Sequence, residues 1–334
     1  MSKRYGRILG LSALIIPIGP GCIGMGRAPY DQVNPKAVEE VLAGTRTTAS
    51  AAWWGFDEED ATEALQAAIR SGAGKLIVPN MGKPWNVEPI QLESNQEIIF
   101  DKGVVIAARK GKFQGRGDSL FTARDKENII LCGYGAELVM RKQDYRKPPY
   151  EKAEWRMCLS LQGCKDVKVL GLRLASSGGD GIYIGRGQKR KYCQDIHIKD
   201  VRCEDNYRQG ISVITVRNLL IEDSVLRGTE GTGPAAGIDF EPNKSDEVLI
   251  NCVVRNCLIE KNGSQGLLVV LGRLNAKSEP VSIRVENCRV VGNKHGMLRV
   301  TGTNVSGYVH LQGNEPAGKR IIAKHRKLKI RIIE

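Results

Sequence analysis

The apolar positions of this chain change period near residue 75. Ahead of that point Ala61, Leu65, Ala68 and Ile69 recur at helical spacing. Asp60-Ala61-Thr62-Glu63 offers a capping box in front of them and Gly72 a stop behind, so the spacing predicts a helix over Ala61–Ser71. From Lys75-Leu-Ile-Val-Pro79 onward the alternation has the period of strands. Between residues 160 and 300 these strands repeat. Five segments place a residue before Gly and an aliphatic or Met after it: Asp180-Gly181-Ile182, Gln209-Gly210-Ile211, Ala236-Gly237-Ile238, Gln265-Gly266-Leu267 and His295-Gly296-Met297. The glycines are 29, 27, 29 and 30 residues apart. Upstream of each lies an alternating pair: Val167/Val169, Ile196/Ile198, Leu219/Ile221, Cys252/Val254 and Ile283/Val285. Two residues past each pair stands Gly171, Asp200, Asp223, Asn256 or Asn287.

A repeat of this length built from short strands alone is the mark of a β-solenoid. Successive coils stack about 4.8 Å apart, so like positions form ladders. An Asn or Asp ladder at a turn lets side chains bond neighbouring backbone. The pattern predicts that Val169, Ile198, Ile221, Val254 and Val285 share one buried column. Weaker coils precede these, from Glu97–Phe100 onward. The predicted helix is suited to closing the N-terminal end of the core, which would otherwise expose an open edge. After Gly296 the same count would turn Arg299 inward, so the register is expected to slip there. The expected body runs over residues 52–310. The basic segment 311–334 alternates Lys327, Lys329 and Arg331 with Leu328, Ile330 and Ile332, which reads as a terminal strand and not as a nucleic-acid arm.

These columns, over roughly residues 55 to 300, resemble the pectin-lyase-like superfamily. The helix before Leu76-Ile-Val-Pro79 is similar to the opening of its pectate-lyase-related members. Gly178-Gly-Asp-Gly-Ile-Tyr183, Asn206-Tyr-Arg-Gln-Gly210 and Gly237-Ile-Asp-Phe-Glu-Pro-Asn243 resemble segments of bacterial β-helix repeat proteins. The resemblance implies an all-β solenoid, a single-stranded right-handed parallel β-helix with an N-terminal capping helix. It also implies action on a polysaccharide. The Gly-His-Gly and Arg-Ile-Lys motifs of polygalacturonases are not in the sequence, so that family's catalytic residues have no counterparts here.

The formal charge of +13 modifies this picture in two ways. Lys3, Arg4 and Arg7 precede the apolar run Ile8–Ile18, with Gly19 and Gly21 before Cys22. That order reads as a signal peptide over residues 1–22, with 23–51 as a linker. Cys22 is a lipidation candidate, and a lipid on it would be the one expected tie to a membrane. The expected location is secreted, periplasmic or cell-surface. Without the leader's three charges a surplus of ten remains, which favours anionic partners such as acidic glycans; no nucleic-acid partner is expected. The later cysteines among the nine fall at inward positions, pointing to buried thiols and not to bridges.

Alternation also assigns the outward positions. Tyr183, Ser212, Asp239 and Leu268 form one outward column, Gly185, Ile214, Glu241 and Val270 the next, and Asp180 and Gln209 precede the glycines. Asp180, Tyr183, Arg208, Gln209, Ser212, Asp239 and Glu241 are therefore expected on one face. Asp239 and Glu241 are two residues apart on one side of a strand, with Cα atoms about 6.5–7 Å apart. Such a separation suits two carboxyls of an inverting glycosidase. Asp239 is the candidate base, Glu241 its partner and Asp180 the candidate acid. Tyr183, Arg208, Gln209 and Ser212 are candidate substrate contacts. Lyase or epimerase chemistry on a uronate is the alternative, with Arg208 and Tyr183 neutralising substrate or Ca²⁺ held by Asp180, Asp239 and Glu241. A glycan-binding or surface-structural protein without catalysis is the third reading. No other cofactor is expected. The loop Lys189-Arg190-Lys191 reads either as a lure for an acidic chain or as a solvated surface.

Overall fold

A computed structural model describes residues 31–302, 304–315, 321–324 and 330–333. The signal-peptide and Cys22 expectations lie outside them. Among the described residues three parallel sheets, here A, B and C, hold eleven, eight and nine strands. Each coil crosses the sheets in turn: Cys193–Lys199 lies in A, Arg202–Glu204 in B and Gln209–Val213 in C. Strands pair only with the coils before and after them, as in Val169↔Ile198, Ile198↔Ile221, Ile221↔Val254 and Val254↔Val285. All five side chains of this predicted column are buried. It continues back to Leu131 and on to Leu311.

The turn between sheets A and B is a ladder of left-handed residues. Asp200, Asp223, Asn256 and Asn287 have φ of 52–54° there. Asn and Asp tolerate that region, and Asn256 Nδ2 donates to Asp223 Oδ1 at 3.2 Å across one rung. An Asn ladder, buried at Asn206 and Asn262, follows sheet B. Asn206, Asn262 and Asn293 donate to the carbonyls of Leu174, Leu226 and Ile259 in the preceding coil. Gly237 packs against this ladder. A Cβ there would fall 2.4 Å from Ile259 Cγ2 and 2.8 Å from the Gly266 carbonyl oxygen. Its requirement is close packing and not an unusual φ. Seven cysteines, among them Cys203, Cys252 and Cys288, are free and buried, as their inward positions predict.

The N-terminal end is closed by α2 (Thr62–Arg70), one residue inside each predicted limit. Leu65, Ala68 and Ile69 face the core. Gln66 exchanges two hydrogen bonds with Gln91 of an edge strand of sheet C, which satisfies that edge. The predicted capping box does not form. Asp60 Oδ1 instead accepts from Thr62 N and Oγ1, because the N-cap is Ala61. The segment expected to be a linker is structured from residue 35. Pro35–Leu42 forms α1, capped by Asn34, and Thr48–Ser50 is the first strand of sheet A. Only Ala37 and Val41 of α1 are buried, too few to make a period legible. At the other end Ile321–Lys324 joins sheet C and Ile330–Ile333 joins sheet A, so the basic segment supplies two strands where one was expected. The slip at Arg299 is present. Arg299 aligns with Leu268 on the outside, while Leu298 and Val300 are buried.

Candidate functional site

Sheet C carries the predicted face. Its register aligns Ser160, Tyr183, Ser212, Asp239, Leu268 and Arg299 in one outward column. Asp180 pairs with Gln209 three residues before that column, next to the repeat glycines. The seven predicted residues therefore do come together. They do not form an open groove. Asp180, Gln209, Ser212 and Asp239 are all at most 1% exposed. The irregular segment 141–157 closes over them: Asp180 N donates to Met157 Sδ at 3.2 Å, and Glu154 Oε2 accepts from Thr232 Oγ1 at 3.0 Å. Arg156, fully buried, fastens this segment by donating to the carbonyls of Phe113, Gln114 and Glu151.

Beneath that cover lies an acid cluster around one cation. Arg208 stands 3.8 Å from Asp180 Oδ2 and 3.8 Å from Glu241 Oε2. Burial works against its charge, but Asp180, Asp239, Glu154 and Glu241 outweigh it and hold Arg208 charged. Gln209 Nε2 donates to Asp239 Oδ2 at 2.9 Å, and Gln209 Oε1 accepts from Ala236 N at 2.8 Å. Both Asp180 oxygens, Ser212 Oγ and Asp239 Oδ1 have no hydrogen-bond partner. Burial first, relieved in part by Arg208, pushes the Asp180 carboxyl up to about 6. Burial and then the adjacent Glu241 carboxylate push Asp239 well above the usual range. The direction of that shift favours the protonated carboxyl at Asp239. Glu241 is the solvent-reaching member of the pair, with its side chain 34% exposed.

The cluster adjoins a cleft of about 400 Å³. Trp155, Tyr183, Arg124, Arg186, Arg208 and Ser160 line it, and no lining residue is acidic. Trp155 is 41% exposed, with the Arg116 guanidinium 5.0 Å from its ring centre. Burial and then the Asp180 charge raise Tyr183 to about 12, so its hydroxyl stays protonated. Asp180 and Asp239 do not line the cleft; Arg208 stands between them and it. Glu154, Trp155 and Arg186 escaped sequence reasoning because they sit on irregular connections between repeats. Arg124 and Gln162 were within reach, since they extend the Gly185 column back by two coils.

The donor set does not suit calcium. Among the described residues no three His, Cys, Asp or Glu side chains converge as ligands. The Arg208 guanidinium already supplies positive charge between Asp180 and Glu241. The basic loop is occupied as well: Arg190 pairs with Glu127 at 2.5 Å and Lys191 with Asp246 at 3.1 Å. The amides of Gln188, Lys189 and Arg190 donate to Asp125. Among the described residues no helix is long and apolar enough to cross a membrane.

The coil register, the three parallel sheets and the ladder of left-handed Asp and Asn residues define a parallel β-helix. Residues 153–315 match the family described as the right handed beta helix region. The uncharacterized protein YclG of Bacillus subtilis (strain 168) is 26% identical over 243 residues, 67% of this chain and 35% of its own length. The chain spans about a third of the length of the curated relatives it matches, 35% and 32%. Among solved structures, the tailspike protein of E. coli bacteriophage HK620, in complex with a pentasaccharide, superposes with a TM-score of 0.55 at 14% identity. That match covers 87% of this chain and 57% of the tailspike chain. An iota-carrageenase complexed to iota-carrageenan fragments gives 0.54 at 15%, covering 79% and 56%. At these identities the likeness concerns the fold.

Proposed function

We propose that this protein acts on a polysaccharide laid over the outer face of sheet C, with acidic groups of the chain meeting Arg124, Arg186 and Arg208. The observation that carries this reading is the cleft itself: three arginines, an exposed tryptophan and no acid, backed by a buried acid cluster. Trp155 offers a face for a sugar ring, as aromatic rings with exposed faces do for apolar ring surfaces. Hydrolysis then uses Asp239, whose carboxyl burial and Glu241 raise toward its protonated form, as the acid. Asp239 donates its proton toward the leaving oxygen as substrate displaces Arg208, and Glu241, open to solvent, takes a proton from water. Asp180 and Arg208 set the charge around that pair. Solved β-helix proteins complexed with a pentasaccharide and with carrageenan fragments support a glycan as the partner.

One observation favours a second reading. Arg208 and Tyr183 face the cleft while Asp180 and Asp239 do not. Arg208 neutralising a uronate carboxylate, with Tyr183 as the proton carrier, is a layout for β-elimination or epimerisation. Incubation with a panel of neutral and acidic glycans separates the readings. New reducing ends mark hydrolysis, and new ultraviolet absorbance marks elimination. Saturable binding without turnover assigns the protein to the non-catalytic class, and neither binding nor turnover defeats all three. The action is proposed to be extracytoplasmic on the strength of the leader-like N-terminus. The mass of the mature protein tests this, since retention of Met1 in a cytoplasmic fraction contradicts it. Cys22→Ser releases the protein from membranes only if Cys22 is acylated.

A further inference from the structure

A larger cavity, about 880 Å³, lies on the outer face of sheet A. Its floor is an outward column in register across the coils: Ile130, Lys168, His197, Leu220, Val253 and Arg284. One wall is a second ladder of left-handed residues, Asn95, Asn128, Asp166, Asp195, Asn218 and Asn251, at φ 52–61°. Their side chains are linked along the stack. Asn128 Nδ2 donates to Asn95 Oδ1 at 2.8 Å, Asn218 Nδ2 to Asp195 Oδ1 at 2.7 Å and Asn251 Nδ2 to Asn218 Oδ1 at 3.0 Å. From Glu97 to Arg284 the groove passes seven successive coils, roughly 29 Å at ~4.8 Å per coil.

Charge and spacing restrict what fits. Most charged groups of the groove already have partners. Glu222 takes His197 at 2.9 Å and Arg255 at 2.6 Å, Arg284 meets Glu286 at 3.2 Å, and Glu97 meets Lys75 at 3.0 Å. Paired in this way they present donors and acceptors together, and the remaining lining charges, Lys168 with Asp166 and Asp195, are of opposite sign, which suits hydroxyl groups better than an ionic ligand. Ile130, Leu220 and Val253 give apolar contact between them. An extended peptide is a poor match. The sheet's backbone groups are already bonded from coil to coil, and a strand's ~3.3 Å repeat runs out of step with a ~4.8 Å ladder. A pyranose unit is close in length to one coil spacing, so each sugar can meet the same set of groups as the one before.

We propose that this groove is a second binding site, for an uncharged linear glycan lying parallel to the solenoid axis with one sugar against each coil. It stands apart from the sheet C cleft and does not depend on that cleft's chemistry. The test is calorimetric titration of the full chain with cello-, xylo- and β-1,4-galacto-oligosaccharides of increasing length. At least one series should bind, with affinity rising at each added unit up to about the number of coils the groove spans. Leu220→Asp should weaken that binding at least tenfold, and the milder Leu220→Asn should weaken it too with an unchanged melting curve. Trp155→Ala on sheet C should leave it unaltered. No binding in any series overturns the proposal, as does affinity independent of length. Binding lost in Trp155→Ala and kept in both Leu220 variants also overturns it, and would locate the glycan at sheet C alone. Turnover of acidic glycans, measured separately, reports on the sheet C reading without touching this one.

Discussion

On sheet B, Arg173 meets Glu137 at 2.7 Å and Glu204 at 3.0 Å, while Arg227 lies 3.5 Å from Glu204 and 3.6 Å from Glu260. Each of these charges has an opposite charge on the coil before or after it, and each side chain keeps some solvent. On sheet C the same residue types are arranged differently. Arg208 reaches Asp180 and Glu241 only at 3.8 Å, and both Asp180 oxygens are buried without a hydrogen bond. A ladder that repeats a solution on every coil satisfies its own polar groups. A buried polar group left unsatisfied costs about 1–3 kcal/mol. Such a cost is typical of a site selected for chemistry or binding and not for stability. The column supports this contrast, because beyond Asp239 the same outward position is held by Leu268, where the polar cluster stops.

The sharpest way to break the contrast is at Asp239. If the sheet C cluster is catalytic, Asp239→Asn lowers turnover of the true substrate by about 10²–10⁴-fold, the contribution of one acid–base group. The melting temperature should hold or rise, because a buried acid is replaced by a neutral amide. A variant that keeps full activity removes Asp239 from the chemistry. One that only unfolds makes the cluster a structural ladder like that of sheet B.

Asp180 gives a smaller effect with a defined sign. Its carboxyl is raised to about 6 in the folded state from an ordinary 3.8. Between those values the folded chain holds a proton that the unfolded chain has lost, so stability falls as pH rises from about 4 to 6 and is level above that. The cost at neutral pH is on the order of 2–3 kcal/mol at 1.36 kcal/mol per pH unit. Asp180→Asn should therefore melt higher than wild type at pH 7, with the gap closing toward pH 4, while activity falls. Thermal melts across that pH range check it; a variant less stable than wild type at pH 7 would mean the carboxylate is a net stabiliser.

The weakest effect is expected on sheet B. Arg227→Ala removes a half-exposed charge between two acids and should cost about 1 kcal/mol or less, shrinking further in high salt. Activity should not change. A larger loss, insensitive to salt, would show that the sheet B ladder is worth more than its exposure suggests.

Much of this was legible in the residues. The recurrence of Val169, Ile198, Ile221, Val254 and Val285 set the coil and its register, because a strand's two faces alternate strictly and each coil touches only its neighbours. The same alternation foresaw the outward column from Tyr183 to Asp239 and the slip at Arg299. It could not foresee that four members of the site are covered. That depends on the path of segment 141–157, which has no period and is held by contacts remote in sequence, chiefly Arg156 to the carbonyls of Phe113 and Gln114. The cover in turn decides the chemistry. An acid at an outward position reads as an ionised base, whereas burial and a neighbouring carboxylate raise the Asp239 carboxyl toward its protonated form. Trp155, Glu154 and Arg186 entered the site by the same route, on connections the repeat does not describe. The sequence by itself determined the solenoid and which residues leave its core, since those follow from local periodicity. Only the tertiary structure decided which of them reach solvent and in what charge state, since that follows from what the chain lays over them.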